Sequence, residues 1–417
     1  MILCKVVDNY GDIGFVYRLS RSLSEKYPDS ELSLVVSNLA SFSAMAPKIK
    51  EVPYQKYNGW NILDWNASSE CKSFFTENPA PLILECFQCG RPEWLDEILF
   101  DKNRTETVQI VNIEYLTAET WADDFHLLKS GTRSALVKKI NFMPGFTEKT
   151  GGLVLDKEFM ESLGNKKSAL EKLRAGIEES SGNDTAEKII SYFSENQDGK
   201  KYFNITVFAY EKNLEPLVSA LSDFQTEQRK KDPDFSLNVF AANGLSFKSF
   251  SGAWEKYGKP FCMTPLPYMN QSAWDALLVL CDFNFIRGED SFSRACLSGK
   301  PFIWNAYVQD EEFQIVKVRA FIDLIKKFFM EEKLEKEFED FNDAMLLYNK
   351  TENFNPGNEA AEAFVIFNGE NEKDALKKTL SDFNASKRAF ENFSRNLIGN
   401  GCISDGLKMF FQDRAVL

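Results

Sequence analysis

The chain holds one histidine, His126, among 417 residues, and that scarcity excludes more chemistry than any single motif admits. A histidine-based triad or relay is excluded unless His126 itself serves, and it reads better as a helical or surface residue, so catalysis falls to carboxylates, tyrosine or lysine. Cysteines at 4, 71, 86, 89, 262, 281, 296 and 402 form no disulfide framework, and several lie in apolar runs where a reduced thiol is ordinary. Cys86 and Cys89 make a CxxC, but zinc needs a second pair of ligands that the sequence lacks; no metal site is expected. Positive charge is also short. The net charge of −13 argues against nonspecific binding to nucleic acid or to an anionic membrane. No apolar run approaches a membrane span, and Lys5 and Asp8 interrupt what would be the core of a signal peptide, so a cytoplasmic protein is expected.

What is present is the grammar of α/β proteins. The length suits two domains, and 44% hydrophobic residues suffice for globular packing. Strand-like runs at 2–8, 32–37, 82–86 and 108–115 alternate with helices such as 15–26 in a doubly wound pattern. A charged and polar stretch without strand signal follows, and the linker is placed at 166–200. A second parallel series begins at 203–210 and continues at 235–240, 261–265, 283–287 and 301–304. Beyond 305 the chain reads as helical. The run at 326–343 is expected to be a solvated amphipathic helix, and the terminal helix near 402–412 is apolar enough to dock on something. The divisions are therefore 1–165, 166–200, 201–395 and a terminal segment 396–417 that is expected to pack back on the first domain.

Two segments carry chemistry. At 3–17 an apolar run breaks into a loop of Tyr10, Gly11 and Gly14 that holds Asp8 and Asp12, then resumes with helical spacing. The loop lacks the Gly-Lys-Ser/Thr of a phosphate loop and the three glycines of a dinucleotide fingerprint. Two carboxylates would repel a phosphate, so the loop faces a cation or a proton to be removed. In the alternative, Asp8 ends a strand and Asp12 caps a helix. At 282–304 the order strand, loop, helix surrounds Arg287, Gly288, Glu289, Asp290 and Ser291 and suits a diphosphate. Helix-start amides and a bidentate cation would hold it, unless Asp290 or Ser291 is a plain cap and Arg287 pairs with Glu289. Upstream, Tyr268, Gln271 and Trp274 offer an aromatic shelf and an amide for a pyrimidine base. Phe208 and Tyr210 end the first strand of the second series, where α/β sheets contact ligands.

Five segments together, KVVDNYGDIG at 5–14, NIEYLTAE at 112–119, MPGFTEKTGGL at 143–153, VFAYE at 207–211 and NFIRGEDSFSRA at 284–295, resemble the elongation factor P arginine rhamnosyltransferases. The layout alone is equally compatible with other two-domain α/β enzymes. The resemblance implies the GT-B glycosyltransferase fold, two Rossmann-like domains facing a cleft, with acceptor in the first and nucleotide sugar in the second. It implies inverting, metal-independent transfer of L-rhamnose from dTDP-β-L-rhamnose to one arginine of elongation factor P. Asp8, Asp12 and Glu289 fall on essential positions. Phe208, Tyr210, Gln271, Arg287, Asp290 and Ser291 fall on donor-binding ones, with Tyr268 and Trp274 standing where phenylalanines are expected.

An arginine side chain is a delocalised cation and a poor nucleophile until a carboxylate orients it and takes a proton, a need that Asp8 and Asp12 meet. Glu289 is read as contacting the sugar or supporting charge at its anomeric carbon. The sequence Asp232-Pro233-Asp234 reads as a turn rather than a metal clamp. Two other readings stand beside this one: a GT-B transferase using another nucleotide sugar and a small or lipid-linked acceptor, and an inactive module that binds elongation factor P or a nucleotide.

Overall fold

Runs that are apolar on both faces make strands covered on both sides. The computed structural model, which describes residues 1–7, 11–194, 202–364 and 371–412, gathers them into two sheets. Met1–Lys157 and the returning segment from Leu397 form one compact unit, and Glu158–Asn396 form another.

The first unit holds eight strands: β1 (Ile2–Cys4), β2 (Ser33–Val36), β3 (Tyr54–Tyr57), β4 (Trp60–Asp64), β5 (Leu82–Cys86), β6 (Val108–Ile113), β7 (Lys129–Ser130) and β8 (Val137–Phe142). Their order is β3-β4-β2-β1-β5-β6-β8-β7, parallel except for the two edge pairings β3–β4 and β7–β8. The first strand stops at Cys4, four residues short of the expected 2–8, because the next amides leave the ladder for side chains. Val6 N–H donates to Ser37 Oγ and Val7 N–H to Asp12. The helix expected at 15–26 begins earlier, at Gly11. Gly11 and Gly14 therefore lie on helical backbone, and neither is a turn former with a positive φ.

The second unit holds β9 (Tyr202–Val207), β10 (Ser236–Ala242), β11 (Cys262–Leu266), β12 (Phe283–Arg287) and β13 (Phe302–Asn305), all parallel in the order β11-β10-β9-β12-β13. The described part of 166–200 is not a linker. Its helices Lys166–Ser181 and Asn183–Ser191 bury Ala169, Leu173, Ile177, Ala186 and Ile189 in one core with Phe240, Ala273 and Leu277. Apolar residues four apart make a narrow stripe between charged faces, and Gly176 lets the helix come close. A Cβ there would meet the Ala273 methyl at 2.4 Å.

The charged run at 326–343 is not one solvated helix either. It spans two, Gln314–Glu331 and Glu335–Asn349, broken where Lys333 takes φ 59°. The second buries Phe338, Phe341, Ala344 and Met345 together with Asp340, Asn342 and Asp343. After Leu397 the chain rejoins the first unit: Ile403 N–H donates to the Leu153 carbonyl at 2.9 Å, Tyr27 Oη to the Ser404 carbonyl at 2.8 Å, and Phe411 stacks on Tyr27 at 4.2 Å. None of the helices among the described residues is long and apolar enough to cross a membrane.

Candidate active site

In the first unit the site is built where β1, β5 and β6 end side by side. Asp12, 2% exposed, sits in the first turn of the helix Gly11–Lys26, where the helix dipole favours a carboxylate. Its Oδ2 accepts the Val7 N–H at 2.7 Å, closing the loop onto the helix start, and its Oδ1 accepts the Tyr115 hydroxyl at 3.3 Å. Asp8 and Tyr10 lie outside the described residues. The helix is anchored further along by Arg18, whose Nη1 is 3.2 Å from Asp156 Oδ2 with both side chains buried.

Tyr115 follows β6 and stacks on Phe87, which follows β5, with centroids 4.3 Å apart and planes 15° apart. Phe87 and Gln88 both take left-handed backbone, φ 61° and 49°, a conformation costing about 1–3 kcal/mol per residue where no glycine relieves it. Two contacts hold that turn. The Phe87 N–H donates to the Ile113 carbonyl, and Gln88 Nε2 donates to Glu114 Oε1 at 2.7 Å, which also accepts from Asn112. Phe87, Gln88, Glu114 and Tyr115 are site residues that the sequence reading did not select, although Glu114 and Tyr115 lie inside the NIEYLTAE motif. Beneath them, burial pushes the Cys4 and Cys86 thiols well up, and the charge of Asp12 adds to it. His126 caps the short helix Trp121–Phe125, where its Nδ1 accepts the Met143 N–H at 3.1 Å and burial holds its imidazole below the usual range.

In the second unit the site forms at the ends of β9, β12 and β13. Arg287, the last residue of β12, lays its guanidinium over the rings of Phe208 and Tyr210, at 4.5 and 4.6 Å. Its buried Nε has no hydrogen-bond partner among the described residues. The following helix, Glu289–Ser298, is capped by Gly288 at φ 69° and not by a side chain. Positive φ requires glycine there, and a Cβ would also approach the Tyr210 hydroxyl to 3.4 Å. Asp290 and Ser291 are thus not the cap. Ser291 Oγ accepts the Trp274 indole N–H at 3.1 Å and keeps its own proton to donate, while Trp274 packs edge-on against Phe208 at 5.1 Å.

The structure thus brings Phe208, Tyr210, Trp274, Arg287 and Ser291 to one helix start, with Glu289 and Asp290 in its first turn. Gln271 opens the helix Gln271–Leu280 that carries Trp274. Tyr268 stands apart from this cluster: it is 67% exposed and makes no ring contact among the described residues, whereas Phe208 and Trp274 pack on each other. Among the described residues no group of three or more histidine, cysteine or acidic side chains is arranged to hold a metal ion, and all eight cysteines are free thiols. Asp232 and Asp234 form a turn in which the Asp234 N–H donates to Asp232 Oδ1 at 3.0 Å.

Two parallel-rich sheets of this kind, one ending in a buried carboxylate and the other in a cation beside a helix start, have the two-unit α/β architecture of the GT-B fold. A solved structure described for EarP-mediated arginine glycosylation of translation elongation factor EF-P has the same fold, with TM-score 0.51 and 17% identity over 99% of this chain and 98% of that one. Residues 1–412 match the family described as Elongation-Factor P (EF-P) rhamnosyltransferase EarP, and the chain belongs to that family. Similar relatives include the protein-arginine rhamnosyltransferases of Shewanella oneidensis, 32% identical over 78% of this chain and 80% of that one, and of Pseudomonas aeruginosa, 30% identical over the same shares. The enzyme is a protein-arginine rhamnosyltransferase.

Proposed function

We propose that this enzyme moves L-rhamnose from dTDP-β-L-rhamnose to one arginine side chain of elongation factor P in the cytoplasm, inverting the anomeric carbon and using no metal. Family membership over residues 1–412 supports the acceptor and the sugar. The structural observation that carries the donor half is Arg287, a guanidinium oriented by two rings with a buried Nε that has no hydrogen-bond partner among the described residues, beside the amides of a helix start. That arrangement suits the diphosphate of a nucleotide sugar.

On the acceptor side Asp12 orients the incoming guanidinium and takes the proton its nucleophilic nitrogen loses, with Tyr115 holding one carboxylate oxygen. Asp8 is assigned to hold the guanidinium alongside it. On the donor side Arg287, Ser291 and the first amides of the helix take up charge on the departing diphosphate, and Glu289 attends the sugar as positive charge develops at its anomeric carbon. One bond forms from nitrogen to carbon as the bond to the diphosphate oxygen breaks. The test incubates purified enzyme with elongation factor P and dTDP-β-L-rhamnose in excess EDTA, and reads the product linkage by NMR. An α-linked rhamnosyl-arginine is expected. A β linkage would contradict inversion, and loss of turnover that magnesium restores would contradict the metal-free route.

A further inference from the structure

Asn305 and Asn349 are both buried, at 4% and 3% exposure, and neither belongs to the donor-contacting set. Asn305 ends β13 and lies opposite Arg287 in the parallel register with β12. Its side chain does not end on its own strand. Oδ1 accepts the backbone N–H of Tyr210 at 2.9 Å, reaching past the end of β12 to the segment that follows β9. Tyr210 is one of the two rings under the Arg287 guanidinium.

The strand end that carries Asn305 is itself gripped on both sides by one residue. Asn349 closes the helix Glu335–Asn349; its Nδ2 donates to the Trp304 carbonyl at 2.7 Å and to the Met345 carbonyl at 2.9 Å, and its Oδ1 accepts the Ala306 N–H at 2.8 Å. Trp304, so held, donates its indole N–H to the Gly288 carbonyl at 3.2 Å and stacks on Phe292 of the following helix at 3.9 Å. Each of these amides is a buried polar group that would be costly to strand, so each contact fixes position as well as satisfying a bond.

We infer that Asn349 and Asn305 form a positioning relay for the nucleotide site: Asn349 fixes residues 304–306, Asn305 thereby fixes the backbone of Tyr210, and the Tyr210 ring fixes the plane of Arg287. The inference rests on the donor reading given above, and goes beyond it in assigning a role to two residues that touch no substrate. A guanidinium held in plane before binding loses less freedom when it meets a diphosphate, so the relay acts on donor affinity and leaves acceptor recognition alone.

Two readouts separate the relay from the donor reading. Hydrogen exchange at the Tyr210 amide, followed by mass spectrometry on peptides spanning 208–212, reads the relay without ligand. Calorimetry with dTDP reads its consequence. Asn305→Ala should expose the Tyr210 amide, weaken dTDP by about tenfold and raise KM for the sugar donor while KM for elongation factor P stays put, the scale of one lost hydrogen bond. Asn305→Asp, which keeps an oxygen acceptor, should restore protection at the Tyr210 amide, while its added negative charge still disfavours dTDP. Asn349→Ala serves as the second variant, whatever the folding of the first. Increased exchange at Ala306 with Tyr210 still protected, or dTDP affinity in Asn305→Ala within twofold of the parent, would overturn the relay. Protection lost at Tyr210 in a protein whose parent binds no dTDP would uphold the relay and remove the donor reading.

Discussion

Replacing Asp12 with asparagine should abolish most turnover while leaving the fold and dTDP affinity close to those of the parent. The side chain is nearly isosteric, and its environment accommodates the amide. The asparagine oxygen can still accept the Val7 N–H now bonded at 2.7 Å, and its NH₂ can donate to the Tyr115 oxygen that at present donates at 3.3 Å. Neither of these two partners loses its hydrogen bond, so their contribution to any change in stability should stay within about 1 kcal/mol. What is lost is the negative charge and the proton acceptor. A missing general base costs roughly 10² to 10⁴ in rate, or about 2.7–5.4 kcal/mol in the barrier. The assay is single-turnover transfer to elongation factor P, followed by intact mass, beside a thermal melt and a dTDP titration on the same preparation. Normal turnover would refute the assignment. So would a loss of turnover matched by an equal loss of dTDP affinity, because Asp12 acts on the acceptor alone in this account.

Arg287→Ala should weaken dTDP by roughly 10- to 150-fold, the equivalent of about 1.5–3 kcal/mol for a charge-assisted contact, and calorimetry that found unchanged affinity would move the diphosphate elsewhere. Asp382 predicts a pH effect on stability: burial, and then the neighbouring Asp340 carboxylate, raise its carboxyl from the ordinary 3.8 to about 6. The folded protein therefore holds a proton that the unfolded chain has released between those values, and stability falls as pH rises from about 4 to about 6. Because the residue is only partly buried, the loss should be only ~1–2 kcal/mol, and Asp382→Asn should recover it at pH 7.5 but not at pH 4 in urea melts; equal effects at both pH values would reject the cause. Selectivity for one arginine requires contacts beyond the guanidinium, so intact elongation factor P or its isolated N-terminal domain should exceed a linear peptide in kcat/KM. The exposed Tyr115, Trp121 and Phe125 are docking candidates, and equal kcat/KM values would remove docking from the account.

Much of the site could be read from the chain because its parts are local. Arg287 ends a strand, Gly288 turns the chain and a helix starts at once, and a run such as NFIRGEDSFSRA carries strand, turn and helix in consecutive residues. The place of Asp12 at a helix start was legible for the same reason. Tyr115 and Phe87 were not, since their meeting with Asp12 depends on β1, β5 and β6 lying next to one another, and sheet order leaves no mark on any one segment. The separation of Tyr268 from the ring cluster was not legible either, since it precedes the helix Gln271–Leu280 and its exposure is set by the fold. The described part of 166–200 misled because its buried stripe is narrow between charged faces. Asp340, Asn342 and Asp343 misled because a helix that buries polar side chains along with its apolar ones has the composition of a solvated one.

The central claim, transfer of one rhamnose to one arginine of elongation factor P, is tested most directly by intact mass spectrometry of elongation factor P co-expressed with this enzyme in cells that make dTDP-β-L-rhamnose. The account predicts a single added deoxyhexose, mapped by fragmentation to one arginine and absent when Asp12 is replaced by asparagine. An unmodified elongation factor P in the presence of folded, dTDP-binding enzyme would contradict it, as would a sugar of another mass or one attached to a residue other than arginine.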